Sequence, residues 1–146
     1  MPLETSFNEP SDNPGFLLWR VTNAWQRQIR ASLEPLDLTH VQFVLLASLA
    51  WLSKTTPNIP QVLLAQHANT DIMMTSQVVR TFERKHYLKR HSDPKDARSK
   101  LLCITPAGLA LVNQAVKAVE AVDKRFFLNL ENPKNFARDL SRLLEG

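Results

Sequence analysis

Residues 60–106 read PQVLLAQHANTDIMMTSQVVRTFERKHYLKRHSDPKDARSKLLCITP, and this stretch decides the fold. Pro60 suits the first turn of a helix over Gln61–His67, because the N–H group that proline lacks has no helical partner there. Asn69-Thr70-Asp71 predicts a turn, since asparagine tolerates a positive φ. Either of the last two turn residues can cap a longer helix over Ile72–Lys85 by accepting its first N–H groups.

The hydrophobic period changes after these two helices. Tyr87–Ser92 and Ser99–Ile104 alternate as short strands do, and the charged, turn-forming segment Asp93–Arg98 joins them. A short helix, a tight turn, a longer helix and a charged hairpin make up a winged helix-turn-helix. The sequence therefore predicts a mainly α fold with a small β-hairpin wing, in which residues 60–85 form the helix-turn-helix and residues 87–104 the wing.

The segment before this unit is predicted to be helical as well. Residues 1–14 show no apolar period and are expected to form a flexible tail. Apolar residues then recur at helical spacing over residues 16–33. Thr39 and Gln42 have the form of a capping box, which predicts a buried second helix. A loop is expected over residues 54–59, before the helix-turn-helix.

Two helices are predicted after the wing. Thr105-Pro106 and Asn132-Pro133 each combine an N-cap residue with a proline in the first helical turn, which predicts helices over residues 106–130 and 133–144. The domain is therefore expected to span residues 15–144. The first of these helices carries an apolar stripe with the spacing of a helix–helix seam. The stripe consists of Leu109, Val112, Val116, Val119, Val122 and Phe126.

Composition excludes several classes of protein. The chain has 146 residues, of which 44% are hydrophobic, so one domain with a substantial core is expected. It has three glycines and no GxGxxG or Walker string. A single cysteine excludes an internal disulfide framework. The polar start does not resemble a signal peptide, and the longest apolar stretch, Val41–Leu52, is too short to span a bilayer, so a cytoplasmic protein without membrane contact is expected.

The positive charge is concentrated in one part of the chain. The formal net charge is +4. Between Pro60 and Lys100 there are eight basic and four acidic residues, so the whole surplus falls in this segment, and the rest of the chain is balanced. A basic segment on a predicted helix-turn-helix and wing favours a polyanionic partner such as DNA. A merely solvated charged face is the alternative.

Two strings resemble the MarR family of transcription factors. Leu64-Ala65-Gln66 together with residues 74–85, MTSQVVRTFERK, resembles the family's helix-turn-helix. Asp93–Arg98 and Ile104–Gly108 resemble its wing and the start of the following helix. The resemblance implies a homodimer, with helices 16–33, 106–130 and 133–144 at the interface, that regulates transcription from a palindromic operator in double-stranded DNA. It also implies a repressor that a small, often aromatic, effector releases from DNA.

The helix over residues 72–85 is expected to enter the major groove. Glutamine can bond adenine and arginine can bond guanine through base edges. Met73 and Thr75 are expected to reach a thymine methyl, while Arg84 lies far enough along the helix to contact phosphate. The DNA-contacting residues of this helix are expected to be Met73, Thr75, Ser76, Gln77, Arg80 and Arg84. The core-facing residues, spaced by four, are expected to be Met74, Val78 and Phe82.

In the wing, the resemblance implies that Asp96 steadies Arg98, which reaches into the minor groove. A narrow groove has a negative potential that attracts arginine. Phosphate contacts are expected from Lys95 and Lys100, flanked by Lys89 and Arg90, and Lys89 is included among the expected DNA-contacting residues. The sequence departs from the family at His86, where many relatives have glycine, so this histidine must either accept the helix-ending backbone conformation or reshape the cap. It also departs at Ala97, where many relatives have arginine.

Other functions find less support in the sequence. Cys103 suggests a redox-responsive regulator, but alternating apolar neighbours are typical of a cysteine that acts as a small hydrophobe. The histidines lie on separate elements, so no metal site is predicted, and no cofactor is implied. Trp19, Trp25 and Trp51 fit core or dimer packing better than an effector pocket. No catalytic signature is present, so the protein is not expected to be an enzyme. A winged-helix adaptor without DNA binding is the remaining alternative.

Overall fold

The computed structural model describes residues 1–146 and contains six α-helices and three short strands. Two 3₁₀ turns, Pro10–Asp12 and Glu34–Leu36, flank the first helix. In chain order the elements are α1 (Pro14–Leu33), α2 (His40–Leu52), β1 (Ile59–Pro60), α3 (Gln61–Ala68), α4 (Ile72–Arg84), β2 (Leu88–Asp93), β3 (Asp96–Ile104), α5 (Pro106–Phe126) and α6 (Pro133–Glu145). The mainly α fold with a β-hairpin wing is therefore confirmed.

Side-chain caps start the helices where the sequence predicts them. Thr39 and Gln42 form the predicted capping box, with the Thr39 N–H donating to Oε1 of Gln42 at 3.0 Å and the Gln42 N–H donating to Oγ1 of Thr39 at 3.2 Å. Of the two predicted caps for α4, the structure uses Asp71, whose carboxylate accepts from two backbone N–H groups. Thr105 caps α5 and Asn132 caps α6. These caps are short-range interactions, which explains why they could be predicted.

The sheet has one strand more than predicted. Its order is β1-β3-β2, and both pairings are antiparallel. The prediction of a loop over residues 54–59 is wrong at its end, because Ile59 pairs with Leu102. The second wing strand also begins earlier than predicted, so that Asp96 pairs with Asp93 and only two residues form the tip. The wing is therefore anchored to the segment that leads into α3.

The core lies where α1, α2 and α5 meet the helix-turn-helix. Ile29 and Leu33 of α1 are fully buried, as are Leu46 and Leu49 of α2. Most of the stripe predicted on α5 forms a helix–helix seam inside the chain, because Val112, Val119 and Val122 are buried where α5 packs against α1 and α2. Leu109 remains 44% exposed.

The ends of the long helices differ from the predicted ones. α1 begins at Pro14, after an Asn13 cap, and the 3₁₀ turn Pro10–Asp12 lies within the segment predicted as a tail. α5 ends at Phe126 and not near Leu130. α6 buries none of its residues. No single helix is long and apolar enough to cross a membrane, although α1 and α2, bent by 76° at their junction, pass that test as a pair.

Candidate nucleic-acid interface

α4 divides into a buried face and an exposed face. Thr75, Val78, Val79 and Phe82 are buried. The prediction that Met74 faces the core is wrong, because its side chain is 42% exposed. Val78 and Phe82 are buried as predicted, and Thr75 takes the core position of the first turns in place of Met74. The remaining face carries the polar and basic side chains towards solvent.

Thr75 is not available to DNA, which corrects the prediction of a thymine contact. Thr75 is only 1% exposed. The Thr75 hydroxyl donates to the backbone oxygen of Asp71 at 2.8 Å, and its oxygen lies 2.7 Å from Oγ1 of Thr70. These two hydrogen bonds satisfy the hydroxyl inside the domain, so its burial costs little. The residue therefore fixes the start of α4 against the end of α3.

Four predicted contacts of α4 remain exposed. Met73, Gln77, Arg80 and Arg84 are exposed, and Ser76 is partly buried. The Arg84 guanidinium donates to Oγ1 of Thr81 at 3.2 Å, which holds it near the end of the helix. Arg80 is free of the ion pairs that occupy Lys85, Arg90 and Arg98. Such a face presents hydrogen-bond donors at the spacing of one helical turn.

In the wing, Asp96 and Arg98 contact each other as predicted. The Arg98 N–H donates to Oδ1 of Asp96 at 3.0 Å, and Nε of Arg98 lies 3.7 Å from the same oxygen. The Arg98 side chain is nonetheless 96% exposed, so the pair orients the arginine without burying it. An exposed pair of this kind adds little stability, which leaves the guanidinium free to move onto a ligand.

The lysines of the wing are exposed to different degrees. Lys95 lies at the tip, where its N–H donates to Oδ1 of Asp93 at 2.9 Å and its side chain is exposed. Lys89 is also exposed, whereas Lys100 is partly buried and its ammonium donates to Oγ of Ser92 at 3.1 Å. The structure therefore leaves Lys89 and Lys95 open to solvent and holds Lys100 along the hairpin.

Arg90 connects the wing to α4. Its Nε lies 3.5 Å from Oε1 of Glu83, and the arginine side chain is 25% exposed. This half-buried ion pair joins β2 to α4, which is called the reading helix because it is predicted to enter the major groove. Arg90 therefore orients the wing relative to α4, and the ion pair and partial burial limit the access of phosphate to its guanidinium.

His86 ends α4 in the conformation that usually favours glycine. Its φ is 63°, in the left-handed region. The Tyr87 N–H donates to the Phe82 oxygen at 2.9 Å and the His86 N–H donates to the Glu83 oxygen at 3.1 Å, which is the Schellman pattern. The rings of Phe82 and Tyr87 pack edge to face with centroids 6.1 Å apart. Of the two alternatives, His86 therefore accepts the helix-ending conformation, and the cap is not reshaped.

A cleft of about 370 Å³ lies between the reading helix and the wing. Arg98 and Lys100 line one side, while Val62 of α3 and Ile72 of α4 line the other. The sequence pattern does not indicate Val62 or Ile72 as site residues. Their exposure in the structure does, because both are apolar and yet Val62 is 55% exposed and Ile72 is 71% exposed.

A second cavity, of about 340 Å³, lies between α1, α2 and the end of α3. Its polar groups come from Gln26, Arg30, His40 and Thr70. Burial lowers the pKa of His40 below its ordinary value of 6.5, and the charge of Arg30 lowers it further, while Asp123 acts in the opposite direction. The His40 ring packs edge to face on Trp25, with centroids 5.1 Å apart.

The tryptophans and the cysteine have mixed environments. The Trp25 indole donates to Oδ1 of Asp123 at 2.7 Å and so joins α1 to α5. Trp19 is 68% exposed, and Trp51 is 60% exposed beneath the Lys54 ammonium, which lies 4.2 Å from its ring. Of the two environments predicted for the tryptophans, core packing is therefore wrong for Trp19 and Trp51, and dimer packing stays a prediction.

Cys103 is partly buried on β3, and a redox role for it stays an untested alternative.

Comparison with known proteins agrees with this geometry. The MarR family model matches residues 38–100. The HTH-type transcriptional regulator YdcH of Bacillus subtilis is 41% identical over 145 residues, which cover 99% of each chain. The HTH-type transcriptional repressor Rv2887 of Mycobacterium tuberculosis is 31% identical over 131 residues, or 90% of each chain.

Solved structures show the same architecture. A point mutant of Escherichia coli MarR complexed with operator DNA superposes with a TM-score of 0.74 at 25% identity, covering 96% of this chain and 97% of that chain. A MarR-family regulator from Rhodococcus sp. RHA1 superposes with a TM-score of 0.81 at 24% identity, covering 94% and 96% of the two chains. The extent of the match to YdcH and the match to the family model lead to one conclusion: this chain belongs to the MarR family of transcriptional regulators.

Proposed function

We propose that this regulator represses transcription by binding a palindromic operator as a homodimer in the cytoplasm. The observation that carries the proposal is the pairing of two exposed reading elements, the Gln77–Arg80 face of α4 and Arg98 of the wing. Glutamine and arginine read base edges in the major groove, and an exposed arginine suits the minor groove. The relative Rv2887 is named a repressor, and the MarR structure contains operator DNA, which supports the same role here.

The apolar surface of α1 and α6 supports a homodimer. α6 buries none of its residues in the single chain, although Leu143 and Leu144 are 71% and 82% exposed. On α1, Leu18 and Trp19 are 52% and 68% exposed. Apolar side chains gathered on terminal helices mark a protein–protein interface. We assign this surface to a second copy, which would place two copies of α4 about one helical turn of DNA apart, roughly 34–36 Å.

The cavity beside His40 is our candidate site for a small anionic aromatic effector. Its volume, about 340 Å³, lies at the lower end of the range for ligand pockets. Arg30 offers a positive charge, while Val41 and Val44 offer an apolar wall. Thr70, which contributes to the same cavity, is hydrogen-bonded to Thr75 of α4. A ligand that moves Thr70 would therefore shift the start of the reading helix and weaken DNA binding.

DNA binding is tested by titrating the region upstream of the protein's own gene at several salt concentrations. The logarithm of the affinity is expected to fall linearly with the logarithm of the salt concentration, because phosphate contacts release counterions. Arg98→Ala is expected to weaken binding, whereas Lys117→Ala, which removes a positive charge from α5, serves as the matched control. A wild type that binds no promoter fragment, or binds independently of salt, would favour the adaptor alternative.

The effector proposal is tested with benzoate as the simplest aromatic carboxylate. Benzoate is expected to raise the melting temperature of the wild-type dimer, because a ligand that binds only the folded state stabilises it. It is also expected to weaken operator binding. Arg30→Ala should abolish both effects while leaving operator binding without benzoate intact. An equal response of wild type and Arg30→Ala to benzoate would place its site elsewhere.

A further inference from the structure

The first turn of α4 presents two large apolar side chains to solvent. Ile72 is 71% exposed and Met73 is 73% exposed. Val62 of α3, which is 55% exposed, shares the cleft with Ile72. The basic side chains of Arg98 and Lys100 line the same cleft. An apolar patch in this basic setting is suited to a polyanion that also carries an apolar group.

Phosphate is a poor occupant for this first turn. The Asp71 carboxylate already accepts from the N–H groups of Met73 and Met74, at 3.2 and 2.9 Å. The amides that would otherwise bind an anion at a helix N-terminus are therefore engaged. The negative charge of Asp71 also repels phosphate. The exposed side chains of Ile72 and Met73 are therefore better suited to an apolar group of the DNA than to a phosphate.

The apolar group that B-DNA displays in the major groove is the C5-methyl group of thymine. We infer that Ile72 and Met73 form an apolar clamp for thymine methyl groups, so that each operator half-site carries A·T pairs opposite the first turn of α4. This inference rests on the proposed DNA binding. Gln77 lies four residues beyond Met73, about 6 Å along the helix axis, and so addresses neighbouring base pairs and not the same one.

The inference is tested by replacing thymine with uracil, one position at a time, in an operator that the protein binds. This exchange removes one methyl group and leaves every hydrogen-bonding group of the base pair unchanged. At one or two positions in each half-site the affinity is expected to fall about four-fold, the ratio that corresponds to about 0.8 kcal/mol for one buried methyl-sized group. Other thymines should tolerate the exchange.

Variants assign the lost affinity to particular side chains. Met73→Ala and Ile72→Ala are each expected to weaken binding to the thymine operator and to abolish the difference between thymine and uracil at one position. Met73→Leu should preserve the difference, because leucine keeps an apolar side chain of similar size. Met73→Gln should abolish it. All four variants alter exposed side chains, so the core remains intact.

The outcomes separate this inference from the proposed function. Failure to bind any promoter fragment would refute DNA binding itself. Specific binding with equal affinity for thymine and uracil at every position would overturn the methyl clamp and leave DNA binding standing. Unchanged operator affinity in both alanine variants would also overturn it.

Discussion

The Thr70 hydroxyl donates to the Thr75 hydroxyl across 2.7 Å, and this hydrogen bond joins the cavity beside His40 to the reading helix. The direction follows from the second bond of Thr75, whose single proton goes to the backbone oxygen of Asp71 at 2.8 Å. Thr70 must then supply the proton between the two hydroxyls. Two short side chains thus connect the end of α3 to the first turns of α4.

Thr75→Val alone is expected to destabilise the domain more than the double variant Thr70→Val/Thr75→Val does. Thr75→Val leaves the Thr70 hydroxyl without its acceptor and is expected to lower the free energy of unfolding by about 1–3 kcal/mol. Thr70→Val leaves Thr75 its bond to Asp71 and should cost less. Urea unfolding of the two single variants and the double variant measures the coupling. Costs that simply add would show that the two hydroxyls do not interact.

The two kinds of DNA contact are expected to differ in sequence dependence. Gln77→Ala should cost about 1–3 kcal/mol against the native base pair and relax discrimination at that position only, because glutamine reads a base edge. Competition binding with single-base operator variants measures this. If Gln77→Ala weakened binding equally for every operator sequence, Gln77 would be a positioning contact and not a reading one.

Lys95 is expected to act on all sequences alike. Its side chain is exposed at the wing tip, where it can reach a phosphate. Lys95→Ala should weaken specific and non-specific binding to the same extent and reduce the slope of log affinity against log salt by about one. Lys117→Ala is the control, since it changes the net charge equally. An unchanged slope in Lys95→Ala would exclude this phosphate contact.

His86→Gly is expected to stabilise the protein. A residue with a Cβ atom in the left-handed region costs roughly 1–2 kcal/mol, whereas glycine adopts it freely but loses roughly 0.5–1 kcal/mol through the greater freedom of the unfolded chain. A net gain of about 0.5–1 kcal/mol in the free energy of unfolding should follow, measured by urea unfolding. His91→Gly, on exposed β2, should be destabilising instead. Loss of stability in His86→Gly would mean that the histidine side chain makes a compensating contact.

Local signals account for the parts of the fold that the sequence predicts well. Asp71 and Thr105 cap their helices through backbone groups two or three residues away, so their roles depend on few other residues. β1 could not be predicted from the sequence, because a strand of two residues shows no hydrophobic period. Ile59 is recognised as part of a strand only through its pairing with Leu102. Element boundaries that depend on distant pairing cannot be inferred from local pattern alone.

The candidate site shows the same difference between features set by nearby residues and features set by distant contacts. The exposed Gln77 and Arg80 follow from helical spacing, and the contact between Asp96 and Arg98 follows from their separation by two residues. The burial of Thr75 does not follow from spacing, because a polar residue takes a core position when a neighbour, here Thr70, satisfies its hydroxyl. The sequence does not predict Ile72 as a site residue, because an apolar residue in a helix is ordinarily assigned to the core.

The stability of the protein is expected to depend on pH through His40. Burial and the nearby charge of Arg30 lower the pKa of His40 in the folded state, although Asp123 opposes this effect. The unfolded chain therefore binds more protons than the folded chain once the pH falls towards 6.5 and below. Stability is retained above this range and is lost as the pH falls through it, with a slope of at most about 1.4 kcal/mol per pH unit for one proton.

His40→Gln isolates this contribution. Because glutamine does not titrate, the free energy of unfolding of His40→Gln is expected to fall less than that of the wild type between about pH 7.5 and pH 5.5, in urea unfolding at constant ionic strength. His91→Gln, which removes an exposed imidazole from β2, controls for the loss of a histidine elsewhere. If wild type and His40→Gln lost stability in parallel as the pH fell, the proton would be taken up by another group. A steeper loss in the wild type would instead show that burial and the charge of Arg30 disfavour the protonated form of His40 in the folded chain.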